Sequence, residues 1–165
     1  MRFPAIALLS LLSVVSADAQ PVPAGSGLIV TKEKLKIGNG CASFSGADNV
    51  ALSILPGGTW TAQATAGDFS GTLTPADPNG RSWNIQFDGP SLAFYELYLE
   101  DAASNLCGAA VSISNGLIET FVLKFGKDGT QVSLQLKTSA SGSTIYGAGQ
   151  GKHQIKGKGS FAPAP

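Results

Sequence analysis

The chain has 165 residues with 11 basic and 11 acidic side chains, one histidine and two cysteines, and charged residues make up only 13% of it. That count excludes a histidine-rich metal site, and the zero formal charge gives no reason to expect a nucleic-acid partner. Low charge together with 21 glycines suits a β-domain with many tight turns.

Residues 1–19 are expected to be a signal peptide. Arg2 precedes an apolar run from Ile6 to Val15, and Ala17-Asp18-Ala19 places small residues at the cleavage positions. Cleavage after Ala19 leaves Gln20 as the new terminus; cleavage after Ala17 is the alternative. The run is too short for a stable bilayer anchor, and no later stretch is apolar enough to span a membrane. The mature chain of about 145 residues is therefore expected to be secreted or periplasmic and to form one domain. Residues 20–30, rich in Pro, Gly and Ser, are expected to form a flexible leader to a β-rich domain over 31–161.

The first strand is predicted over Lys32–Ile37, with Leu35 and Ile37 on one face and Lys34 and Lys36 on the other. Gly38-Asn39-Gly40 turns the chain, and Val50, Leu52 and Ile54 mark a second strand. Pro56-Gly57-Gly58 leads to a strand carrying Trp60, Ala62 and Ala64 on one side, and Phe69, Gly71 and Leu73 continue the sheet. Asp77-Pro78-Asn79-Gly80 is a hairpin turn before the cleanest alternation of the chain, with Trp83, Ile85 and Phe87 inward.

One helix is predicted, at about residues 90–106. Leu92, Tyr95, Leu99, Ala102, Ala103 and Leu106 recur at helical spacing, Asp88 or Ser91 caps the start, Pro90 suits the first turn, and Gly108 ends it. Beyond it, Val111 and Ile113 begin another strand. Leu117–Phe125 is apolar at both parities, as in a strand covered on both faces. Val132, Leu134 and Leu136 point inward. In the last arm His153, Ile155 and Phe161 share one face, and Lys152, Gln154, Lys156 and Lys158 the other. Residues 162–165 are expected to fray. KLKIG (34–38) resembles VLKFG (122–126) and VALSI (50–54) resembles VSLQL (132–136), with Trp60 and Tyr146 following, which suggests an internal repeat. The expected fold is an antiparallel β-sandwich or partly closed barrel with the helix packed on it.

Cys41 and Cys107 are expected to form a disulfide, contributing roughly 4 kcal/mol in the chain-entropy model. No metal ligand cluster, phosphate loop or cofactor motif is present in the sequence, and His153 stands without a nucleophile motif. The candidate catalytic pair is Glu96 and Glu100, i,i+4 on the helix, which in a cleft would act as acid and base on a sugar. The candidate ligand contacts are Trp60, Trp83, Tyr95 and Tyr98, by stacking, and Lys152, Lys156 and Lys158, toward an anionic polymer. A lysine-guarded edge strand gives the same charge pattern. The functional expectation is a non-catalytic binding or structural domain whose partner is carbohydrate or another extracellular polymer. A small hydrolase and a carrier of a small apolar ligand are the alternatives. An interior cavity would mark the carrier, an exposed aromatic platform the sugar binder, and convergent polar groups in a cleft the enzyme.

Overall fold

The computed structural model describes residues 21–38, 40–144 and 147–165; the expected signal peptide, Asn39 of the first turn and Tyr146 of the suggested repeat lie outside them. Eight strands follow the chain as β1 (Gly25–Ile37), β2 (Ser43–Ile54), β3 (Thr59–Ala64), β4 (Gly67–Pro75), β5 (Ser82–Phe87), β6 (Val111–Phe125), β7 (Gln131–Thr144) and β8 (Gly147–Pro163). One helix, α1 (Gly89–Cys107), separates β5 from β6. Each strand pairs antiparallel with the next, and β8 returns to β1 from Gly25↔Pro163 to Ile37↔Gly151, so the sheet closes into a barrel.

Closure corrects three expectations. The expected mainly-β barrel with one helix is what the chain forms, and because it closes fully β8 is not an edge and its lysines guard none. The second half of the expected leader is strand: Ile29 faces inward while Leu28 and Val30 point out, which hides the usual alternation. Residues 162 and 163 complete the ladder with Ser26 and Gly25, and the Ala164 amide bonds the Ala24 carbonyl at 2.8 Å, so the tail is tied down.

Period-2 alternation divides every strand into an inner and an outer set. The inner sets of the lower barrel fill it with Ile29, Val50, Leu52, Ile54, Trp60, Leu73, Trp83, Leu123, Phe125, Val132 and Phe161. Trp83 is fully buried, and its indole N–H donates to the Gly80 carbonyl at 3.1 Å. So tight a barrel needs glycine where neighbouring backbones close in. A Cβ on Gly71 would lie 1.8 Å from the Gln86 oxygen, and one on Gly159 would lie 1.9 Å from the Leu28 oxygen.

The two-parity apolar run in β6 has a different cause from the one expected. The register shifts between Ser114 and Leu117 and between Ile118 and Thr120, so Ile118 and Phe121 both pack toward the helix despite opposite parity. The suggested repeat finds no common placement: KLKIG ends β1 beside the helix, whereas VLKFG ends β6 at the packed end of the barrel.

Asp88 caps α1, accepting from the Ser91 amide at 2.8 Å, a proline occupies the first turn, and Gly108 ends the helix at φ 64°. Tyr95, Leu99 and Ala103 are buried as the spacing requires. Leu92 is 36% exposed and Ser91 is buried in its place, because the Ser91 hydroxyl accepts the Ser70 amide at 2.8 Å. The Cys41–Cys107 disulfide, with Cα atoms 4.5 Å apart, pins the end of the helix just before β2. The helix thus packs over the upper end of the barrel, against β6, β1, β4 and β5, and its buried face reaches Leu136 of β7 and His153 of β8 through Tyr95 and Leu99.

Trp83→Ala should lower stability by about 3–5 kcal/mol in urea unfolding, the scale for deleting a buried large aromatic. A loss under about 1 kcal/mol would mean that Trp83 does not anchor the core.

Candidate functional site

Beneath the helix, on the side of β2, β3 and β4, the barrel is not filled. A cavity of about 100 Å³ remains, bounded by Thr31, Glu33, Asp48, Val50, Trp60, Ala62, Ala64, Ala66, Phe69, Phe87, Tyr95, Tyr98, Phe121, Leu134, Leu136 and Ile155. An eight-stranded barrel is just wide enough for its own side chains or for one small ligand. Here the small residues Ala62 and Ala64 of β3 and Ala66 of the turn after it line the wall, and the space they leave is the cavity.

Six aromatic rings, Trp60, Phe69, Phe87, Tyr95, Tyr98 and Phe121, line the wall. Phe87 stacks on Tyr95 with centroids 5.4 Å apart and meets Phe121 at 4.7 Å. Trp60 sits 5.7 Å from Phe87 and 5.9 Å from Phe121 in tilted and edge contacts. Phe69 joins Phe87 to Phe94, on the outside of the helix, at 5.9 and 5.6 Å. These contacts fix the rings by packing, as edge and offset arrangements favour.

A chain of buried polar groups runs along one side. Glu33 Oε1 lies 2.6 Å from His153 Nε2, His153 Nδ1 lies 2.8 Å from the Tyr95 hydroxyl, and that hydroxyl lies 2.7 Å from Thr138 Oγ1. Tyr98 donates to the same Glu33 oxygen at 2.7 Å. Burial alone pushes the Glu33 carboxyl up. Hydrogen bonds from His153 and Tyr98, with the field of the imidazole, outweigh it and hold the carboxyl below its ordinary value. An ionised carboxylate only accepts, so His153 Nε2 carries a hydrogen. With Nδ1 bare, Tyr95 donates to it and receives from Thr138; with Nδ1 protonated, both bonds reverse direction. Burial raises the Tyr95 phenol far above its ordinary value, and burial and the bond to Glu33 do the same for Tyr98. Both phenols therefore remain donors at any ordinary pH.

The second carboxylate of the cavity, Asp48, stands at the mouth. Its burial acts upward, but bonds from the Thr65 hydroxyl at 2.7 Å, the Thr65 amide at 2.8 Å and the Asn49 amide at 2.7 Å prevail and hold it below its ordinary value. Among the described residues no group of three or more His, Cys, Asp and Glu side chains is placed to hold a metal ion.

The sequence-predicted residues separate into four places. Trp60, Tyr95 and Tyr98 meet at the cavity. Trp83 is buried in the packed end, away from it. Glu96 is exposed on the helix, and Glu100 accepts the Ile113 amide at 2.8 Å, tying α1 to β6, so the two carboxylates do not converge on a cleft. Lys152, Lys156 and Lys158 lie on the outer wall. The groups that sequence reasoning missed are Glu33, Asp48, Thr138 and the use of His153. Their signal was parity: Glu33 shares the inward face of Leu35 and Ile37, and Asp48 that of Val50 and Leu52.

Glu33 contributes stability above about pH 4.5, its unfolded value, and that stability is lost as pH falls through the lower folded value. Glu33→Gln should therefore flatten the acid limb of the stability–pH curve, measured by urea unfolding from about pH 6 to pH 3. Parallel curves for the two proteins would show that the buried chain does not hold Glu33 ionised.

Comparison with protein-family models, with curated proteins and with solved structures finds no match to this chain.

Proposed function

We propose that the protein is a secreted, non-catalytic carrier of one small, flat, largely apolar ligand, held in the barrel and oriented by a hydrogen-bond-donating group on Glu33. The observation that carries this reading is the aromatic cavity beneath α1 with an ionised carboxylate in its wall. An apolar cavity of about 150 Å³ takes up benzene, so the smaller volume here suits a single small ring, with any short substituent directed to the mouth at Asp48. Trp60, Phe87 and Phe121 offer ring faces and edges to such a molecule. Glu33 and Asp48 accept hydrogen bonds and repel anions, which favours a phenol or an amine over a carboxylate.

The polar chain supports binding over catalysis. Each member already has its partner inside the protein, so its structural role is complete without a substrate. The disulfide agrees with an oxidising compartment, and no helix among the described residues is long and apolar enough to cross a membrane.

Calorimetric titration with 4-methylphenol, 4-methylbenzylamine and 4-methylbenzoate tests the reading. The phenol or the amine should bind, and the benzoate at least about tenfold more weakly. Ala64→Leu, which fills the cavity from β3, should weaken binding about tenfold or more while the near-ultraviolet circular dichroism stays native. Equal binding of all three compounds, or unchanged affinity in the filled variant, would rule out the carrier reading.

A further inference from the structure

The outer wall points to a second partner, independent of the cavity. Two troughs follow one another along the same strands. One, of about 560 Å³, is flanked by Lys32, Lys124, Lys156 and Lys158, and the other, of about 260 Å³, by Lys34, Lys36, Lys137 and Lys152. The chain has 11 basic residues in all, so these eight lysines, from β1, β6, β7 and β8, concentrate most of its positive charge on one wall. Glu119 is the one carboxylate lining either trough among the described residues, and it lies 3.8 Å from Lys137.

This arrangement works against the fold. The β1–β8 register sets Lys36 opposite Lys152 and Lys32 opposite Lys156, and like charges directly opposite one another destabilise a sheet. Closure of the barrel leaves β8 no edge to protect. Solubility calls for both signs interspersed, not for same-sign pairs. What the lysines do serve is a counter-charge supplied from outside.

We infer that this wall binds a linear acidic polysaccharide seated along the two troughs. A trough with cations on its rims receives a chain, whereas a flat bilayer would rest on the convex crest of the barrel. The floor carries Ser133, Gln135, Ser139 and Gln154, which suit sugar hydroxyls. Among the described residues its one aromatic ring is the buried imidazole of His153, so no platform for stacked bases exists. Alternate residues on one strand stand about 7 Å apart and neighbouring strands about 4.8 Å apart, so the lysines present a two-dimensional lattice and not a single point of charge.

The test uses heparin and polygalacturonate as probes, with an oligo-dT single strand and phosphatidylglycerol vesicles as competitors. The wild type should bind at least one of the two polysaccharides at about 50 mM salt, and the binding should fall steeply as salt rises. Lys32→Gln/Lys156→Gln/Lys158→Gln should weaken it about tenfold or more, while Arg81→Gln/Lys127→Gln, which removes two cations outside the troughs, should leave it within about twofold. The triple variant should also melt at or above the wild-type temperature, because it removes repelling pairs. Absence of binding to both polysaccharides, an equal loss in the Arg81/Lys127 control, a triple variant that keeps its affinity, or tighter binding to oligo-dT or to the vesicles would each overturn the inference.

Discussion

The Tyr95 hydroxyl holds the upper half of this molecule together. It reaches from the helix to His153 on β8 and Thr138 on β7, in a setting where an unpaired polar group costs about 1–3 kcal/mol. Three buried groups can be satisfied together only with the helix in this place, so the bond selects the helix position more than it adds stability. From there the rest follows. Glu33 is drawn onto His153, Tyr98 onto Glu33, and the aromatic rings close around Tyr95. The cavity is the volume the helix cannot occupy once that tyrosine is fixed, and the disulfide at Cys107 keeps the far end of the helix from drifting.

The strand period keeps two chemistries apart. In β1 the order Lys32-Glu33-Lys34-Leu35-Lys36 sends the carboxylate inward to the polar chain and three cations outward to the troughs. A slip of one residue would exchange them, burying lysines and exposing the carboxylate. Register is therefore held on both sides of β1, by twelve paired positions with β2 and thirteen with β8. Close-approach glycines permit this ladder to bend. Their cost in strand propensity is met by the packed lower core around Trp83.

Much of this was legible in the sequence, through parity and through caps. Trp83, Ile85 and Phe87 lie inward as their alternation says, the helix begins at Asp88 and ends at Gly108, and the two cysteines pair. What escaped was the meeting of polar side chains far apart in the chain. Glu33 and His153 are 120 residues apart, and only the β1–β8 closure brings them to one place. Each has inward parity, but parity gives a face and not a neighbour. The bulges in β6 escaped for the opposite reason: they are local, yet they imitate a strand covered on both sides. The lysine wall was half visible, because the row on β8 shows its period, while the lysines of β1 join it only across the closure.

The central claim is that the space under Tyr95 is a binding site. Intermolecular nuclear Overhauser effects to a bound 4-methylphenol or 4-methylbenzylamine measure it most directly. The expected result is contacts to Trp60 and Ala62 at the bottom of the cavity and to Tyr98 along its polar side. Contacts confined to Phe94 and Leu97 on the exposed face of the helix, or none to Trp60, would contradict it.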